Sequence, residues 1–112
     1  IDLVVCHEGR WYILDYKSNH LGDFYSEYRG TALSRAMAEH HYYLQYHIYV
    51  LALHRYLRFR LADYDYDTHM GGVFYLFIRG MHPGRDTGIF FHRPSRAAVE
   101  FLSDRTGVMK VD

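Results

Sequence analysis

Asp15 and Lys17 stand two residues apart in the run ILDYKSNHLG, residues 13–22. In a strand, residues i and i+2 project from the same face, so this carboxylate and amine point the same way with Cα atoms roughly 7 Å apart. A hairpin brings a second acid to them. Residues 2–6, DLVVC, and 11–17, WYILDYK, read as strands joined by HEGR, in which Gly9 is free to adopt positive φ. A turn centred between Glu8 and Gly9 sets Cys6 opposite Trp11, Val4 opposite Ile13 and Asp2 opposite Asp15. Two carboxylates with Cβ atoms about 5 Å apart across a sheet repel. A divalent cation would offset the repulsion, because Mg²⁺ takes carboxylate and carbonyl oxygens and keeps several waters. Such a water has a lowered pKa, and Lys17 beside it could orient it, assist its deprotonation or stabilise charge on a phosphoryl oxygen. The set suits phosphodiester hydrolysis. The same spacing equally describes an exposed strand end carrying a surface salt bridge, and spacing alone does not choose between them.

The elements that must hold these residues follow from the apolar pattern. The other face of the hairpin carries Leu3, Val5, Tyr12 and Leu14 and is expected to be buried. Residues 18–30 form a polar, glycine-containing loop. Over 31–60 the pattern is helical, with Leu33, Met37, Leu44, Ile48, Leu51 and Arg55 on one stripe and Val50, Leu53 and Leu57 widening it. A break is expected near His40–His41. Residues 61–70 are an acidic, aromatic connector. Residues 73–78, VFYLFI, predict a central strand buried on both faces. A turn over 80–85, a strand over 88–92 and a short helix over 95–104 follow. Ser95 is the expected cap of that helix, which would bury Ala98, Phe101 and Leu102. The order predicts a mixed α/β, α+β-like layer fold without the even alternation of a doubly wound sheet. Neither a dinucleotide fingerprint nor a P-loop occurs.

Composition narrows the classes. With 112 residues, 49% hydrophobic and 18% aromatic, the chain carries enough apolar mass for a core. Formal charge is zero, so there is no bulk attraction to nucleic acid, although Arg55, Arg58 and Arg60 make a local basic patch. No apolar run reaches the roughly 18 residues of a membrane span, and no membrane association is expected. The single cysteine, Cys6, cannot form an internal disulfide, which agrees with a reducing, cytoplasmic setting. The chain starts at Ile1 and not at Met, and is read as a fragment of a longer one.

IDLV, followed after a short hairpin by LDYKSN, resembles the core of the PD-(D/E)xK nuclease superfamily. More narrowly, with YYLQYHIYVLALHRYLRFRLADYDYDTHMGGVFYLFIRG, it is similar to the nuclease domains of exodeoxyribonuclease V beta subunits, from Ile1 to about Arg93. The resemblance implies a restriction-endonuclease-like core with residues 2–17 as catalytic hairpin, and Mg²⁺-dependent cleavage of DNA, with Mn²⁺ as a substitute. It implies Asp2 and Asp15 as metal ligands, the Tyr16 backbone carbonyl as a third, and Lys17 as catalytic lysine. Gln45 and Tyr49 match a Q-x-x-x-Y helix motif expected near the active site and the DNA. Partners implied are DNA and the other subunits of a helicase–nuclease complex. The family takes a further glutamate and a histidine from segments upstream of Ile1, and Glu27 and Glu39 do not replace them. The chain alone, an incomplete nuclease domain, is therefore expected to bind Mg²⁺ weakly and cleave poorly.

Other residues invite functional readings of their own. Tyr25 and Tyr28, in the loop after Lys17, are candidates for stacking on bases, and Arg29 and Arg35 for reaching phosphates. The nine histidines are scattered and lack a zinc motif. Asp63, Asp65 and Asp67 open like a calcium loop, but the required glycine and glutamate are replaced by Thr68 and Phe74. A nucleophilic role for Cys6 would need a poised base. The alternative to catalysis is an interaction module that contacts partner subunits or self-associates.

Overall fold

The computed structural model describes residues 1–105. Strand β1 (Leu3–His7) and strand β2 (Arg10–Lys17) form the predicted hairpin, with Cys6 opposite Trp11 and Val4 opposite Ile13. Its two-residue loop has φ of 51° at Glu8 and 79° at Gly9. Positive φ at both central residues is the turn whose twist matches that of the flanking strands. No atom lies within 4 Å of where a Cβ on Gly9 would stand, so backbone conformation, not space, calls for glycine there.

A 3₁₀ turn at Tyr25–Tyr28 leads into helix α1 (Gly30–Glu39), which buries Leu33, Ala36 and Met37. The helical run breaks where the sequence placed the break. His41 takes a left-handed conformation, φ 58° and ψ 30°, and helix α2 (Tyr42–Arg60) starts anew. A short helix α3 (Tyr66–His69) lies within the acidic connector. Strand β3 (Met70–Phe77) then pairs parallel with β2, and strand β4 (Ile89–His92) pairs antiparallel with β3. The four strands run in the order β1-β2-β3-β4. Helix α4 (Arg96–Arg105) closes the described chain, and the Ser95 hydroxyl accepts from the Ala98 N–H as a cap. The fold is the expected mixed α/β arrangement of hairpin, long helices, further strands and a short final helix.

The core lies on one side of the sheet. Ile13, Val73, Tyr75 and Phe77 pack there with Met37, Tyr46, Val50, Leu53 and Leu57 from the helices. Two expectations fail for a single reason. The hairpin face with Leu3, Val5, Tyr12 and Leu14 is not buried, because among the described residues no element covers that side. It forms an open apolar trough of about 450 Å³ in which Val5, Tyr12 and Leu14 are joined by Phe74, Leu76 and Ile89. Strand β3 is accordingly covered on one face only, Phe74 and Leu76 being half-buried. The helices differ from expectation too. On α2, Leu44 and Ile48 are exposed at 63% and 55%, while Tyr46 and His54 are buried. Helix α2 is apolar around much of its circumference, so periodicity could not identify its buried side. In α4 the buried residue is Val99, and Phe101 is exposed.

Candidate active site on the hairpin and the second helix

Asp15 and Lys17 leave β2 on the helix-facing side, as the strand period requires. Asp15 is 4% exposed. A carboxylate that deep needs a partner, and Lys17 Nζ lies 2.9 Å from its Oδ1. The paired ladder ends at Leu3–Leu14, so Asp2 sits one step outside it, and its N–H donates to the Leu14 carbonyl. The exposed Asp2 carboxylate accepts from the Tyr16 N–H at 2.7 Å. Each acid thus has a local partner, and the two are brought to the same end of the hairpin.

Helix α2 supplies the other wall. Tyr42, Gln45 and Tyr49 fall at spacings of three and four and share one face. Gln45 Oε1 accepts from Lys17 Nζ at 3.3 Å and from the Tyr75 hydroxyl at 2.5 Å. The Lys17 amine sits 4.3 Å from the Tyr42 ring centre and 5.2 Å from that of Tyr75. Aromatic faces at these distances attract a cation. Burial raises the Tyr49 phenol above its ordinary pKa. The Asp15 carboxylate adds to the rise, Lys17 opposes it, and Asp2 adds a smaller push. The Tyr75 phenol is also raised, by burial first and then by Asp15. Both phenols are neutral donors at neutral pH. Asp2, Asp15, Lys17, Gln45 and Tyr49 therefore share one electrostatic neighbourhood. Tyr42 and Tyr75, which no motif marked, complete the surroundings of the amine.

Two carboxylates are hard oxygen donors that suit Mg²⁺. Among the described residues no group of three or more His, Cys, Asp and Glu side chains is gathered that could hold a metal ion. The donor chemistry of Asp2 and Asp15 fits such an ion, which keeps several waters beside one or two carboxylates.

The remaining candidates lie elsewhere. Tyr28 is buried at 3%, accepting from the Leu21 N–H and donating to the Gly22 carbonyl, so its ring ties down the loop and is closed to a base. Tyr25 is exposed, with the Arg85 guanidinium 4.3 Å from its ring centre. Arg29 and Arg35 are exposed on or beside α1, with no hydrogen bond to the Asp15–Lys17 cluster among the described residues. The expected basic patch at the end of α2 is partly internal: Arg55 donates to the Ser103 carbonyl and Arg58 to His54 Nε2. Asp65 caps α3 through the Thr68 N–H, and Asp67 lies 3.1 Å from the Arg93 guanidinium. No helix among the described residues is long and apolar enough to cross a membrane.

No family model matches the sequence. Known proteins do. The chain is 50% identical over 115 residues to the RecBCD enzyme subunit RecB of Escherichia coli, covering all of this chain and 10% of that protein. RecB of Haemophilus influenzae is 49% identical over 108 residues, and RecB of Mycobacterium tuberculosis is 44% identical over 112, matching 96% and 93% of this chain. The chain spans about a tenth of the length of the curated relatives it matches. With half of its residues identical along its whole length to one RecB, the chain belongs to the family of RecB subunits of the RecBCD enzyme.

Proposed function

We propose that this chain is the metal-dependent DNA-cleaving core of a RecB-type helicase–nuclease subunit, of PD-(D/E)xK type, and that it acts in the cytoplasm beside partner subunits. The observation that carries the reading is the buried Asp15–Lys17 pair, locked by Gln45 from a separate element and flanked by Asp2. A buried ion pair is poor economy for stability alone, and its placement at an open strand end gives it something to act on.

In this reading Asp2, Asp15 and the Tyr16 carbonyl would hold Mg²⁺, with Mn²⁺ as a substitute. The ion supplies a water of lowered pKa and polarises a phosphoryl oxygen. Lys17 is positioned to hold that water or to stabilise charge developing on the phosphate. Gln45 and the two tyrosine rings fix the amine in one place, and such pre-organisation is a large part of the rate advantage. Two acids bind Mg²⁺ weakly, so little cleavage is expected from the chain by itself.

The test uses variants that keep side-chain volume. Asp15→Asn and Lys17→Met, placed in a complete RecBCD-type enzyme carrying this sequence, are expected to abolish Mg²⁺-dependent cleavage with unchanged circular dichroism. Wild-type cleavage by either variant defeats the reading.

A second reading is favoured by the apolar trough on the uncovered sheet face. Exposed apolar surface of this kind marks protein contacts, so the chain would associate through it with partner subunits or with itself. Sedimentation velocity should detect self-association; a monomer at every concentration counts against it.

A further inference from the structure

Beyond Lys17 the sheet ends in a surface that pairs cations with aromatic rings. Arg79 follows β3 by two residues, and its Nε donates to the Ser18 carbonyl at 2.6 Å, one residue past Lys17. Phe24, 72% exposed, Tyr25, Tyr28 and Arg79 line a depression of about 330 Å³ together with Gly22 and Asp23. Arg85 lies over the Tyr25 ring, and the His82 ring meets the same tyrosine edge-on at 5.8 Å. Among the described residues neither Arg79 nor Arg85 forms an ion pair, whereas Arg93 and Arg96 pair with Asp65, Asp67 or Glu100. Of the nearby acids, Asp86 is exposed beside Arg85 in the chain, and the other two have partners. Asp23 lies 3.1 Å from His20, and Glu27 accepts from the Phe24 N–H.

We propose that this ledge of Phe24, Tyr25, Arg79 and Arg85 binds a stretch of single-stranded DNA leading to the Lys17 amine; the proposal rests on the nuclease reading above. Two guanidiniums without carboxylate partners suit successive phosphates. An aromatic ring standing free in solvent suits an unpaired base, since every base offers a π-face and a paired one is already stacked. Single strands therefore fit better than duplex, whose phosphates the arginines could reach but whose bases Phe24 could not.

Fluorescence anisotropy of a labelled oligothymidylate, in chelator so that nothing is cleaved, tests the ledge on this chain. Arg79→Gln with Arg85→Gln is expected to weaken binding at least about tenfold and to lower the salt slope by about 1.4, roughly 0.7 for each single-strand phosphate that no longer meets a guanidinium. Phe24→Ala should weaken oligothymidylate binding about fivefold or more and leave duplex binding unchanged. Arg85→Gln alone, which breaks no backbone hydrogen bond, guards against a misfolded double variant and should weaken binding in the same direction. Wild-type affinity in the Arg85→Gln and Phe24→Ala variants, or no binding by the wild-type chain at low salt, overturns the ledge. Neither result touches the nuclease reading, which stands or falls on cleavage by Asp15→Asn.

Discussion

Lys17 is gripped by one carboxylate, one amide and two aromatic faces, and each grip has a different consequence if removed. Gln45 is the pivot, since its one oxygen takes both the amine and the Tyr75 hydroxyl. Tyr75→Phe keeps the ring against Lys17 but frees that oxygen on one side. It should cost about 1 kcal/mol of stability, the net worth of an ordinary hydrogen bond. Gln45→Leu removes the acceptor and lets the amine drift toward Asp15 alone. On the nuclease reading proposed above Lys17 is a reacting group, whose small misplacement costs up to about a hundredfold in rate, so kcat of the complete enzyme should fall by about ten- to a hundredfold with KM little changed. An unaltered kcat would make Gln45 a packing residue only. Asp15, Lys17 and Asp2 were legible in the sequence because strand period and turn position bring them to one end of the hairpin. Gln45 and Tyr49 were legible only through their resemblance to a motif. Tyr42 and Tyr75 were not legible at all. An aromatic residue in an apolar helix or strand reads as core, and its approach to Lys17 depends on how β2, β3 and α2 meet.

Elements came through the sequence where local chemistry specifies them and failed where a distant neighbour decides. The hairpin is the clear case. Its register followed from a two-residue turn, and the turn from Gly9. Glu8 is less suited to its place, since φ of 51° is left-handed and carries a penalty for residues other than glycine, aspartate and asparagine. Its carboxylate lies 3.8 Å from His7, a contact between two exposed groups that contributes little. Glu8→Asn would create the Asn-Gly pair that such turns favour and should raise unfolding stability by about 0.5–1 kcal/mol. Urea denaturation checks this, and a lower midpoint would mean that the glutamate does more than occupy the turn. The break between α1 and α2 was legible near the paired histidines. The buried side of α2 was not, because Leu44, Ile48, Tyr56 and Phe59 on its outside are as apolar as the residues within.

At the scale of the whole molecule the radius of gyration is 15.3 Å, against about 13 Å for a compact domain of about 100 residues. Among the described residues the sheet is covered on one side, which leaves a single layer of core to carry stability. Two histidines make the fold sensitive to mild acid, His54 within that layer and His92 at the exposed end of β4. His54 is buried at 2%. Arg58 donates to its Nε2, which leaves Nδ1–H to donate to the Tyr64 hydroxyl. Burial holds its pKa below the ordinary value. The Arg58 guanidinium lowers it further, Glu100 opposes, and Arg55 and Arg96 add to the lowering. His92, hydrogen-bonded to the Tyr46 hydroxyl at 2.8 Å, is exposed on one side and its pKa is lowered by the partial burial of its ring and by His47. The unfolded chain takes up protons at these positions near pH 6.5, before the folded chain does. Stability from both groups is therefore complete above about pH 6.5 and is lost as pH falls toward their lower folded values. The melting temperature should thus drop between pH 7.5 and 5.5, and the drop should be smaller in His54→Gln, whose amide can accept from Arg58 and donate to Tyr64 without titrating. A variant that loses as much over that interval as the parent would place the acid sensitivity outside His54.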